Sequence, residues 1–295
     1  MRPGVPFGAV GTPPLTQVEL GGLPSPDLAG TIAAFNAVMG FGLVFAVSWL
    51  ADDAPMTWKD VRWTAMAGVC FLFPYGVVAV TVGPELPTLL GALLGLLAFV
   101  LLLRAGHARS PIHWRALLPD LLPYLLLVLL VLATRLVPPL REELVGHVWS
   151  WDFLGHFSGS FAPLFHPGTL LLVSIALVAL ATSLRSALAP AFAAALGRLG
   201  SVALALLLML ALARVLVHSG MVDQLAEGAA RSGGTWPFLA AVVGTLGTFV
   251  SGSATASNIL FTQFQLSTAQ VLQLSPVLMA AAQGAGAAIG NVIAP

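Results

Sequence analysis

Long apolar runs separated by short polar turns set the pattern of this chain. A helix needs about 20 mainly apolar residues to cross the hydrocarbon core, and six such runs can be marked out. They are Thr31–Ala51, Thr64–Val82, Leu86–Leu103, Leu117–Val137, Gly168–Leu184 and Leu199–His218. Each is bounded by breakers or charge: Asp52, Asp53 and Pro55 close the first, and Gly83-Pro84-Glu85-Leu86-Pro87 turns the second into the third. Arg104 closes the third, while Asp120 and Arg135 anchor the two ends of the fourth. The runs are too long and too rich in Leu and Ala for barrel strands.

Three regions follow. Residues 1–30 are rich in Pro and Gly and have no apolar core, so they read as neither a cleavable signal nor a span. Residues 31–231 hold the spans and a long connection at 138–167, whose Trp149-Ser150-Trp151-Asp152-Phe153 core is expected to lie along the membrane surface. Residues 232–295 contain no Asp, Glu, Lys, Arg or His. This stretch is interrupted by Ser251–Asn258 and by Gln283-Gly284-Ala285-Gly286, runs too polar and too small to face lipid tails. Irregular backbone at membrane depth survives only inside protein or beside a wet cavity, so both runs are expected to break helices in re-entrant turns.

Composition agrees. Charged residues make up 8% of the 295 positions, hydrophobic residues 58%, and mean hydropathy is +0.95. A soluble domain carries roughly 25% charged residues, so a cytosolic enzyme, a nucleic-acid binder and a disordered chain are excluded. The fold class is an all-α polytopic membrane protein with broken or re-entrant helices. The single cysteine, Cys70, can form neither an internal disulfide nor a zinc site.

The cations set an orientation. Lys59 and Arg62, then Arg104, Arg109 and Arg115, then Arg185 and Arg198 occupy three loops that fall on one side when the spans alternate. That side is cytoplasmic by the positive-inside rule, which makes 138–167 extracytoplasmic. Trp49, Trp58, Trp63, Trp114, Trp149, Trp151 and Trp236 lie at or near span ends, as an aromatic belt would.

Candidate chemistry concentrates at Ser251, Gly252, Ser253, Thr255, Ser257 and Asn258: four hydroxyls, an amide and a turn-forming glycine within eight residues. A helix restarting there presents free N–H groups and a partial positive charge, which suits a carboxylate. Close helix packing accounts for the small residues but less well for the clustered hydrogen-bonding groups. Gln283 and Asn291 form a second polar pair, for which binding and packing weigh equally; Gly91 and Gly95 read as packing. Glu85 can carry a proton, but an ionised acid at an interface costs little, and that plainer reading is preferred. Arg214 reads as a snorkelling side chain. His147, His156 and His166 match no metal spacing, and no nucleophile elbow or phosphate loop is present. No enzyme, cofactor or metal is expected.

Four stretches together resemble the L-lactate permease family. They are Phe7-Gly8-Ala9-Val10-Gly11-Thr12-Pro13, Gly83–Pro87, Phe249–Phe261 around the hydroxyl cluster, and Ala281–Pro295, and they occur in the family's order. The resemblance implies a cytoplasmic-membrane carrier of L-lactate, and often glycolate, moved with a proton. It implies an ion-transporter type of fold with inverted repeats, each carrying a re-entrant hairpin, and an elevator-like movement of the substrate domain. Ser251, Ser253, Thr255, Ser257 and Asn258 carry over as candidate substrate contacts, followed by Gln283 and Asn291. Family members are longer, with a first-repeat hairpin and its acidic residue ahead of the residue 7 stretch. The chain is therefore expected to be a piece of a permease with an incomplete inverted repeat. A carrier of another anion, such as a dicarboxylate, and a non-transporting membrane scaffold are the alternatives. Expected partners are the small anion, a proton, membrane lipid and possible further copies of the chain, with no nucleic acid.

Overall fold

The computed structural model describes residues 8, 10–51, 55–106, 114–153, 157–182 and 185–294. Asp52, Asp53, Arg109, His156 and Pro295 lie outside these, as do parts of the first and last motifs. The chain divides into two units, residues 1–107 with 201–295, and residues 108–200.

The first unit begins with α1 (Thr12–Gly21), a short helix within the Pro/Gly-rich region. Pro13 and Pro14 fall in its first turn, where a missing N–H costs nothing, which is how a Pro-rich segment becomes helical. α2 (Ser25–Leu50) and α3 (Trp58–Thr81) pack antiparallel, with Gly30 opposite Val80 and Gly40 opposite Leu72. α3 starts six residues before the expected Thr64, because Thr57 and Asp60 form a reciprocal capping box. α4 (Pro87–Gly106) lies on α3 through Gly91 against Tyr75 and Gly95 against Cys70, the packing role expected of those glycines.

α5 (Trp114–Leu136), α6 (Pro138–Gly146), the strands β1 (Trp149–Phe153) and β2 (Phe157–Phe161), and α7 (Pro167–Ala181) belong to the second unit. α5 and α6 meet at an 89° bend. Arg135, on the last turn of α5, donates to the Phe165 carbonyl (3.2 Å) and stacks on the Phe165 ring. β1 and β2 pair antiparallel, Trp149 opposite Phe161 and Trp151 opposite Gly159, leaving both tryptophans largely exposed.

α8 (Arg185–His218) corrects the expected boundary at Leu199. Its Ala-rich start is strongly helix-forming, and Pro190, on the second turn, removes one i→i−4 hydrogen bond without ending the helix. Arg185 and Arg198 are therefore helical residues, not loop residues. α9 (Met221–Ala230) packs on the later helices through Val222 and Ala226.

α10 (Trp236–Ser251), α11 (Ala254–Leu272) and α12 (Pro276–Ile293) complete the first unit. α12 is its centre, buried without interruption from Met279 to Ala288. Apolar and small all round, it takes the enclosed place such a helix must. Leu28, Ile32 and Tyr75 pack against Ala280 and Ala281 on one side, while Trp236, Ala240 and Ala269 surround Met279 and Ala282 on another. Elsewhere Val38, Phe73, Leu204 and Leu207 stay more than half exposed, as lipid-facing residues do. Six helices among the described residues are long and apolar enough to cross a membrane.

Candidate functional site

α10 and α11 form an antiparallel helical hairpin. Trp236 pairs with Gln265, Gly244 with Ser257 and Gly247 with Phe261, so the two helices run back along each other from a turn at Gly252-Ser253. The expected break at the hydroxyl cluster is therefore present, and it is only two residues long.

Gly252 closes α10 at φ 68°, a left-handed conformation that glycine adopts without penalty. Ser253 is the N-cap of α11, its Oγ accepting from the Ala256 N–H (3.3 Å). Because this Oγ accepts, its own proton stays available to a ligand. Ser251 Oγ donates to the Gly247 carbonyl (2.7 Å) and lies 3.1 Å from the Ser253 carbonyl. Thr255, half-buried, occupies the first turn of α11.

Ser257 and Asn258 point into the protein and do different things. Ser257 Oγ donates to the Gly244 carbonyl (3.1 Å) and accepts from Gln283 Nε2 (3.1 Å). Gln283 Oε1 accepts from Gln265 Nε2 (3.1 Å), and Gln265 Oε1 accepts from the Trp236 indole N–H (2.9 Å). This relay ties three helices together with every member buried and partnered. Asn258 Nδ2 donates to the Pro13 carbonyl (3.1 Å), but its Oδ1 is buried with no partner. Gln17 repeats that state: Nε2 donates to the Ala280 carbonyl (2.7 Å) and Oε1 is left without a partner.

The expected break at Gln283–Gly286 is not present; α12 runs straight through it. Its glycines instead let α10 and α12, which run parallel, touch backbone to backbone. A Cβ on Gly286 would collide with the Ala241 carbonyl, and one on Gly244 with the Gln283 carbonyl. Buried against α10, α1 and α2, the stretch has no need to avoid lipid. Asn291 is half-buried at the end of α12, one residue beyond the contact of Gly290 with Thr248.

The structure thus joins Ser257 to Gln283, and gathers Ser251, Gly252, Ser253 and Thr255 at one turn. Sequence reading missed Gln265, Gln17 and Trp236. Trp236 is 8% exposed and packs in the core with Ala240, Ala269, Met279 and Ala282, and Glu85, in the turn between α3 and α4, is buried at 7%. The signal for Gln265 was its spacing: Ser257, Phe261 and Gln265 repeat every four residues on one helix face.

The motifs also converge. A Cβ on Gly11, whose φ is 73°, would collide with the Pro84 carbonyl and lie 2.9 Å from Glu85 Cα. Two residues later, the Pro13 carbonyl holds Asn258. The first, second and third motifs therefore meet at one place.

Comparison with known proteins covers nearly the whole chain. The chain is 28% identical to an L-lactate permease of Streptococcus iniae over 93% of its own length, and 25% identical to one of Salmonella typhimurium (strain LT2) over 99%. It is 26% identical to a glycolate permease of Escherichia coli (strain K12), again over 99%. It spans 61% of the length of each of these relatives. No solved structure matches the chain. The L-lactate permease family matches residues 3–295, and six helices among the described residues are long and apolar enough to cross a membrane, so the chain is a multi-pass membrane protein that belongs to that family.

Proposed function

We propose that this chain forms the substrate-handling part of a secondary carrier in the cytoplasmic membrane. The carrier moves L-lactate, and with it glycolate and related 2-hydroxy acids, together with a proton. The observation that carries this reading is the α10–α11 turn, a hydroxyl-rich helix start in a stretch of 64 residues without one ionisable side chain.

A 2-hydroxy acid has two features to recognise. Its carboxylate suits the N–H groups of Ala254 and Thr255 and the Ser253 hydroxyl, reinforced by the positive end of α11. Its hydroxyl can donate to Asn258 Oδ1, the buried acceptor that lacks a donor. Ser251 and Gly252 shape the turn, Thr255 and Asn291 flank it, and Ser257 with Gln283 hold the hairpin against α12. Residues 232–295 supply no cation, so an anion bound by them alone remains a net charge. A co-moving proton makes the loaded site nearly neutral and removes most of the cost of carrying it past lipid.

The test is uptake of labelled L-lactate into proteoliposomes under an inward proton gradient. The double variant Ser253→Ala and Asn258→Ala is expected to raise KM at least tenfold; an unchanged KM and rate would remove the site assignment. Competition by glycolate but not by succinate is expected, and the reverse order makes the protein a dicarboxylate carrier. Absence of any uptake favours a scaffold.

A further inference from the structure

We infer that the Gly244 carbonyl is a shared acceptor, held by Ser257 in this state and by Thr248 once α11 draws away from α10. The seam of the α10–α11 hairpin is thereby built to open. This goes beyond the lactate-carrier reading and does not depend on it.

The inference starts from one hydroxyl. Thr248 Oγ1 is fully buried and has no hydrogen-bond partner among the described residues. A threonine inside a helix commonly turns its hydroxyl back to the carbonyl four residues earlier. Its neighbours do so: Thr245 donates to Ala241 (2.9 Å) and Ser251 to Gly247 (2.7 Å) on α10, and Thr268 to Phe264 (2.8 Å) on α11. The corresponding carbonyl for Thr248 is that of Gly244, and it is taken. Ser257 Oγ donates to it across the hairpin at 3.1 Å. A carbonyl oxygen has two lone pairs; the helical N–H of Thr248 uses one and Ser257 the other.

The surroundings hold both hydroxyls to this competition. A Cβ on Gly247 would collide with Ser257 Oγ, so the bond across the hairpin depends on a glycine there. Thr248 is held beside the turn, its backbone carbonyl accepting the Gly252 N–H (2.7 Å). On its α12 side, a Cβ on Gly290 would lie 2.8 Å from Thr248 Cβ. The Thr248 hydroxyl is therefore one χ1 rotation from a bond that Ser257 denies it.

Parting two helices ordinarily strands the buried groups they shared. Here the Thr248 hydroxyl replaces Ser257 on the Gly244 carbonyl, and a hydroxyl without a partner gains one. The Gln283 amide, which donates to Ser257 Oγ (3.1 Å), still loses that contact. The exchange thus lowers the cost of opening the seam without abolishing it.

The experiment is a double-mutant cycle on the full chain in detergent, read by the thermal unfolding midpoint. Thr248→Val keeps the shape and removes the hydroxyl. In the parent it is expected to leave the midpoint unchanged or raise it, since a buried unpaired group is lost. Ser257→Ala mimics the open seam by removing the competing donor. In that background Thr248→Val is expected to lower the midpoint by about 2 °C or more, because the hydroxyl has moved onto Gly244. Thr245→Val removes a hydroxyl that is already bonded, and is expected to lower the midpoint equally in both backgrounds. If Thr248→Val shifts the midpoint equally with and without Ser257, the two hydroxyls do not compete and the inference falls. Where Ser257→Ala yields no folded protein, Ser257→Cys, with a weak thiol donor, takes its place under the same criteria. The midpoints are read without lactate, so failure of the carrier reading leaves them untouched.

Discussion

At the scale of single residues, this protein spends its polar groups in two opposite ways. Ser257, Gln283, Gln265 and Trp236 satisfy one another completely, whereas Asn258 and Gln17 each keep one oxygen without a donor. A closed relay in a low-dielectric interior fixes geometry, and breaking it strands the neighbours. Gln265→Leu leaves the Trp236 N–H and Gln283 Oε1 unpaired, at a cost of about 1–3 kcal/mol for each stranded group. The thermal unfolding midpoint in detergent is expected to fall by several degrees, with a shift in tryptophan emission. Gln270→Leu makes the same change at an exposed position of the same helix and is expected to stay within about 0.5 kcal/mol of the parent. Equal midpoints for the two variants would show that the relay contributes nothing. The open acceptor on Asn258 has the contrary character: a buried oxygen without a donor is a cost to the folded protein.

At the scale of elements, glycine has two uses that look alike in a sequence. Gly252 ends a helix, and Gly286 lets two helices touch; both stand among small and polar residues. The hairpin break was legible because Ser251–Asn258 combines a left-handed position with a serine able to cap the helix that follows. The supposed break at Gln283–Gly286 was misread because no capping residue follows it, and α12 continues once α10 covers it. α1 was hidden by its prolines, although Pro13 and Pro14 fall in the first turn, where the backbone N–H groups have no helical partner to lose. The six apolar runs were legible because period and length alone define them, and their ends moved where a cap or an Ala-rich start extended a helix. A pair of substitutions separates the two uses of glycine. Gly286→Ala drives a methyl group into the Ala241 carbonyl and is expected to destabilise the protein by about 1–3 kcal/mol or more. Gly42→Ala in α2, where a Cβ meets nothing within 4 Å, is expected to be neutral or to stabilise by up to about 1 kcal/mol. Yield of monodisperse protein and midpoint in detergent read both.

At the scale of the whole molecule, function depends on which side of the membrane each turn occupies. The cations argue for one orientation, and α8 strengthens the case in a way the loop assignment did not. Its 34 residues rise about 51 Å, some 20 Å more than the roughly 30 Å hydrocarbon core. The surplus matches the stretch from Arg185 to Arg198, and the apolar run from Leu199 to His218 matches the core. With both arginines outside the lipid, the positive-inside rule leads to the expectation that this end of α8 is cytoplasmic. The β1–β2 hairpin, with its exposed Trp149 and Trp151, is then expected to face outward. With Cys70 replaced by alanine, Ser160→Cys on β2 is expected to react with a membrane-impermeant maleimide in intact cells. Lys59→Cys at the start of α3 is expected to react only after the membrane is opened. Both positions are exposed, so reactivity reports side and not burial. Labelling of Lys59→Cys from outside would invert the topology. It would also invert the direction from which the hairpin enters, since α10 follows α8 after α9 and a single short 3-10 turn.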